Sequence, residues 1–80
     1  MKIKILFFGM SKDLAGDNNG FLDIEKDLKV STLRTVLFEK FPLFSQMNSF
    51  AIAVNESYAD EELTLVENDI VAIIPPVSGG

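Results

Sequence analysis

The 80-residue chain is long enough for one small domain, and a hydrophobic content of 48% with seven Phe supplies it with a core. It has no Cys and no His, which excludes disulfides, thiolate or imidazole metal sites, Cys or Ser–His nucleophiles and a histidine pH switch. Twelve Asp and Glu against seven Lys and Arg leave a net charge of −5, so neither a nucleic acid nor an anionic membrane surface is an expected partner.

Residues 2–8, rich in Ile, Leu and Phe, suit a first strand that Gly9 breaks. Met1 to Phe8 mimics the start of a signal peptide, but Ser11-Lys12-Asp13 follows with no small-residue cleavage site. The expectation is a strand in a cytoplasmic protein, and the Asn55-Glu56-Ser57 sequon then occurs by chance. Residues 10–15 fit one helical turn that drops Leu14 onto the core, and Gly16-Asp17-Asn18-Asn19-Gly20 is a dense turn sequence. From Phe21 to Leu28, apolar Leu22, Ile24 and Leu28 alternate with Asp23, Glu25 and Asp27, which predicts a half-buried second strand.

Val30-Ser31 opens the main helix, with Ser31 as the expected N-cap and Val30 as a hydrophobic staple. Leu33, Val36, Leu37 and Phe41 form its apolar stripe, Arg34, Thr35 and Glu39 lie opposite, and Phe38 lies off the stripe. Pro42 ends the helix near Lys40 or Phe41. Residues 43–49 are expected as a loop, with Phe44 folded back over the core. Phe50 to Val54 is a third strand, Asn55-Glu56 a turn, and Ser57–Ala59 a short edge strand. Asp60-Glu61-Glu62 is an acidic loop, Leu63 and Leu65 pack inward, and Glu67-Asn68-Asp69 turns into a last strand, Ile70 to Ile74. The stretch from Ile70 to Val77 contains two prolines and is too short to span a bilayer.

One helix covers only one face of such a sheet. The packing that satisfies this order is α+β, a β-grasp: a mixed sheet of four to five strands over one main helix, first and last strands adjacent at the centre. Residues 1–74 are expected to form that domain, and 75–80 a flexible, extended C-terminal tail. Side chains alternate along strands, so the uncovered face should carry Leu6, Phe8, Ala51, Ala53, Ala72 and Ile74. A wet face would be polar; this one reads as a protein interface unless the 43–49 and 57–65 loops fold over it.

The chain given ends Ile74-Pro75-Pro76-Val77-Ser78-Gly79-Gly80. The prolines stop strand pairing and favour a stiff, extended segment. Residues 75–80 at about 3.3 Å each reach roughly 20 Å beyond the sheet. Gly79-Gly80 carries no side chain, so a narrow channel can admit it and only a terminal carboxylate reaches the far end.

These residues carry a resemblance. Ile5-Leu6-Phe7-Phe8-Gly9, Ala53-Val54-Asn55, and Asp69-Ile70-Val71-Ala72 leading into Pro75-Pro76-Val77-Ser78-Gly79-Gly80 resemble the small subunit of molybdopterin synthase, a ubiquitin-like sulfur carrier. The match spans residues 1–80, and Asn68 replaces a Gly common in the family at a position where Asn also tolerates a left-handed turn. The resemblance implies that an activating enzyme, using ATP with Mg, adenylates Gly80, which a sulfur source converts to a thiocarboxylate. It implies insertion of the tail, Gly79 included, into the large subunit. There the sulfur passes to the cyclic pyranopterin monophosphate precursor, two charged tails per molybdopterin. Phe8, Tyr58, Ile74, Pro75, Pro76, Val77 and Ser78 are the implied partner contacts in a heterotetramer of two small and two large subunits. The chain itself is then not an enzyme and binds neither metal nor cofactor.

Two other readings share the Gly-Gly end: a β-grasp sulfur carrier for thiamin thiazole synthesis, and a ubiquitin-like modifier joined to lysines through Gly80. A stand-alone enzyme finds little support. Consecutive carboxylates at Asp60-Glu61-Glu62 are ordinarily solvated, and Gly9, Gly16 and Gly20 lack the Lys-Ser/Thr ending of a phosphate loop.

Overall fold

Alternation along the first strand sets which side of the sheet is wet. In β1 (Lys2–Phe7), Ile3, Ile5 and Phe7 are buried while Lys2 and Lys4 stand in solvent. The structure, a computed structural model, describes residues 1–16, 19–47 and 49–76. The other strands are β2 (Asn19–Asp23), β3 (Ala51–Val54), β4 (Ser57–Tyr58) and β5 (Ile70–Ile74). They form one five-stranded sheet in the order β2-β1-β5-β3-β4. β1 and β5 run parallel at its centre, registering Ile5 with Val71 and Phe7 with Ile73, and the other pairs are antiparallel. This is the mixed sheet with adjacent first and last strands that the element order calls for.

The main helix, α2 (Val30–Lys40), lays Val30, Leu33 and Leu37 against the inner face. Pro42 ends it as expected, with Phe41 as C-cap. Its start differs from expectation. Lys29, not Ser31, is the N-cap position, and among the described residues no side chain caps the helix. The backbone N–H groups of Val30 and Ser31 donate instead to the carbonyls of Leu63 and Glu61, each at 3.0 Å. A distant loop thus satisfies the donors that a capping hydroxyl ordinarily takes. The same loop corrects a second expectation. Leu65 is buried, but Leu63 is 40% exposed, because its backbone closes a turn with Asp60 and caps α2.

β2 is shorter than the period-two pattern suggested, ending at Asp23 rather than Leu28. Ile24 and Leu28 are both buried, but the chain turns between them and Asp27 adopts φ 63°. Burial from either side of a turn imitates the alternation of a strand. A short helix, α1 (Met10–Ala15), tucks Leu14 against the core, as expected, and ends on left-handed Gly16. Residues 42–46 are a 3₁₀ helix rather than part of a loop, and Phe44 is fully buried. Its ring centroid lies 6.1 Å from Phe7, 5.2 Å from Phe41 and 5.6 Å from Phe50. Phe38, off the stripe, half-covers the outer side of that cluster with its ring 5.5 Å from Phe50.

The acidic loop is tied to α2 by charge. Arg34 donates from Nε and Nη2 to the two carboxylate oxygens of Glu61, at 3.1 and 3.0 Å, and also bonds the carbonyl of Phe50. The Arg34 hydrogen bond holds the Glu61 carboxyl below its ordinary pKa, outweighing the opposing desolvation; the guanidinium charge adds to the lowering and the Asp60 carboxylate slightly opposes it. A carboxyl whose pKa is lower folded than unfolded adds stability above its unfolded pKa. That contribution is lost as pH falls through the folded value. Glu61→Gln should therefore cost a few tenths of a kcal/mol near neutrality, about the worth of a half-exposed pair. Urea unfolding should show the gap from wild type closing as the pH is lowered; a gap that persists in acid would remove the ion pair as its cause.

Candidate functional site: an apolar groove at the base of the tail

Four strands place one row of small and apolar side chains on the outer face. The registers Leu6 with Ala72, Ala72 with Ala53, and Ala53 with Tyr58 carry that row from β1 to β4. Phe8 and Ile74, two residues further along their chains than Leu6 and Ala72, flank the row on one side, and Ile70, two residues before Ala72, flanks it on the other. Together with Glu56 these residues line an open groove of about 410 Å³. No described segment of 43–49 or 57–65 lines it except Tyr58. Phe8 is 49% exposed and Tyr58 76%. An apolar face with its aromatic rings in water makes this groove the candidate interface.

The ends of the groove are fixed by hydrogen bonds. The N–H of Phe8 donates to the carbonyl of Ile73, and the carbonyl of Phe8 accepts from the buried Ser11 hydroxyl at 2.6 Å. The chain at Phe8 is therefore held while its ring stays outside. Gly9 follows at φ 55°, ψ −137°, where a side chain would strain the backbone. The position of a Cβ on residue 9 lies 3.5 Å from the Pro75 ring, so the exit of the tail passes directly over this turn.

At the other end, Asn55 and Glu56 are the central residues of a two-residue hairpin, with φ 50° and 73°. Positive φ at both positions matches a type I′ turn. The Asn55 amide donates to Asp69 at 2.9 Å, and its oxygen accepts from the N–H of Ile70 at 3.0 Å. Asp69 in turn accepts from the N–H of Val66 at 2.8 Å. This chain of bonds clamps the hairpin to the start of β5 and so orients Ile70. It also gives a physical reason for Asn55 and Asp69 in the two sequence matches.

The structure thus brings Phe8, Tyr58 and Ile74 to one groove with Leu6, Ala53 and Ala72. Ala51 pairs with Ile74 on the same face. Ile70 and Glu56 were not anticipated. Ile70 shares the parity of Ala72 and Ile74, so alternation could have found it. Pro75 is half-buried and Pro76 exposed. Val77, Ser78, Gly79 and Gly80 lie outside the described residues. In the acidic loop, Glu61 is paired with Arg34 and Glu62 with Lys29 at 3.0 Å, while Asp60 accepts a backbone N–H. Among the described residues no helix is long and apolar enough to cross a membrane.

The chain matches the ThiS family over residues 5–80. It is 36% identical to the molybdopterin synthase sulfur carrier subunit of Drosophila yakuba, with all of this chain and 92% of that protein covered. A putative molybdopterin converting factor subunit 1 from Pyrococcus furiosus superposes with a TM-score of 0.88 at 23% identity, over 96% of this chain and 99% of that one. A chain from the complex of subunits 1 and 2 of the Helicobacter pylori molybdopterin-converting factor superposes with a TM-score of 0.69 at 30% identity, each chain fully covered. The chain belongs to the ThiS family, with the ubiquitin-like β-grasp fold, and is similar along its whole length to molybdopterin synthase sulfur carrier subunits.

Proposed function

We propose that this protein is the sulfur carrier subunit of a molybdopterin synthase. It docks the large subunit through the outer-face groove and delivers sulfur from Gly80. The observation that carries this reading is the continuity of the groove with the tail: Phe8 and Ile74 line the groove, and Pro75, the next residue, starts the tail over Gly9. A partner seated on this face receives the tail along its own surface. Similarity to carrier subunits over nearly their whole length, and to a chain from a complex of subunits 1 and 2, supports a large-subunit partner.

The chemistry asks little of this chain beyond its end. A carboxylate is a poor electrophile, so an activating enzyme joins Gly80 to AMP from ATP with Mg, releasing pyrophosphate. A sulfur source then displaces AMP and leaves a thiocarboxylate. The thiocarboxylate sulfur is ionised near neutral pH and displaces an oxygen substituent of the pyranopterin precursor inside the large subunit. Water then cleaves the resulting thioester, leaving the sulfur on the pterin and returning Gly80 as a carboxylate. Gly79 and Gly80 have no side chains to obstruct entry. Acid–base groups come from the partner, in keeping with a chain that has no His and no Cys. The dithiolene needs two sulfurs, which fits an assembly of two small and two large subunits.

Intact mass tests the central step. The protein incubated with its activating enzyme, ATP and a sulfur source should gain the difference between one sulfur and one oxygen, mapped to Gly80. A chain truncated after Gly79 should gain nothing and support no molybdopterin synthesis. Synthesis at the full rate by the truncated chain ends the proposal. Sulfur on Gly80 without turnover of the pterin precursor by the large subunit points to thiazole synthesis instead, and lysine conjugates in place of sulfur point to a modifier.

A further inference from the structure

Glu56 stands at a position where glutamate is a poor choice for folding. Its φ of 73° lies in the left-handed region, and the second central position of a type I′ turn favours glycine. Non-glycine residues held there are strained, and such strain gathers where a side chain is needed for something other than stability. Among the described residues the Glu56 carboxylate takes no hydrogen bond and no ion pair, in contrast to Glu61 and Glu62. Its place is the rim of the groove, beside Leu6 and Ile70. It is the single charged group in a lining otherwise made of apolar side chains and Tyr58.

We propose that Glu56 is a partner-specificity residue: its carboxylate meets a lysine or arginine that the large subunit presents at the rim of the groove. This rests on the docking reading above. When a partner covers the apolar floor, a carboxylate at its edge loses part of its water, and a cation opposite is the group that compensates. The hairpin is locked to β5 through Asn55 and Asp69, so the charge is held at one place relative to Ile70. A fixed charge beside an apolar patch selects for register, where the patch alone would tolerate sliding.

The test compares Glu56→Gly and Glu56→Gln with wild type, in the full chain, for thermal stability and for titration with purified large subunit at low and high salt. Glu56→Gly should raise Tm by about 3–6 °C through relief of the strained turn. Glu56→Gln should raise Kd roughly three- to tenfold at low salt, mostly through the association rate, with a flatter salt dependence. A Gln variant that binds like wild type at both salts overturns the proposal. So does a Gly variant with a lower Tm, since the position is then not strained. Phe8→Asp in the same titration separates the two readings. If it abolishes binding while Glu56→Gln does not alter it, only the role of Glu56 falls; if it binds like wild type, the docking face itself is wrong.

Discussion

Phe8→Asp should leave the fold intact and lose at least about a hundredfold in affinity for the large subunit. Its ring is half-exposed on the outer face and contributes nothing to the buried core, whose nearest member in the strand is Phe7. The backbone bonds that hold residue 8, to Ile73 and Ser11, involve main-chain atoms that the substitution leaves in place. The Tm should therefore stay within about 2 °C of wild type, as for most exposed substitutions. In the complex the cost is different. An aromatic anchor is lost, and an unpaired carboxylate is enclosed between two apolar surfaces, together worth about 3–5 kcal/mol. That is roughly two to three and a half decades in Kd. Isothermal titration of the folded variant against the large subunit measures it. A Kd within threefold of wild type would show that the groove is not the contact.

That groove was largely legible before the structure, because alternation is a strict rule. Once Ile3, Ile5 and Phe7 face the core, Leu6 and Phe8 have nowhere else to point, and the same holds for Ala72 and Ile74. The topology followed from one helix having one face to cover. What was not legible depends on long-range partners. Ser31 looks like an N-cap until Leu63 and Glu61, about thirty positions on, bring carbonyls to the helix start. Leu63 looks like core until that same backbone role turns it outward. The 21–28 pattern hides a turn, since a left-handed Asp27 leaves no mark on apolar spacing. Glu56 was legible as a turn residue and not as a site. Its meaning comes only from seeing that the turn is type I′ and that its side chain borders an apolar groove.

The other face of the same sheet should respond in the opposite way. Phe44→Ala removes a fully buried ring that packs edge-on against Phe7 and Phe50 and stacked against Phe41. Truncating a buried Phe costs about 3–5 kcal/mol, and part of that is the loss of aromatic pairing. Small domains have only about 5–15 kcal/mol in total, and a chain of this length belongs near the lower end. The variant should then populate unfolded chains measurably near body temperature, and its urea midpoint should fall by a third or more. Leu43→Ala, one position away but half-exposed, should move the midpoint little. A loss below about 1 kcal/mol for Phe44→Ala would mean that the 3₁₀ segment is not part of the cooperative core. The groove residues lie across the sheet from Phe44, so each folded molecule should still bind the large subunit with its normal affinity. Binding also draws unfolded chains back by mass action, and excess partner should restore much of the lost stability. Phe8→Asp gives a stable protein that cannot dock, and Phe44→Ala an unstable one that can. That dissociation is what a sheet with a core on one side and a docking face on the other requires.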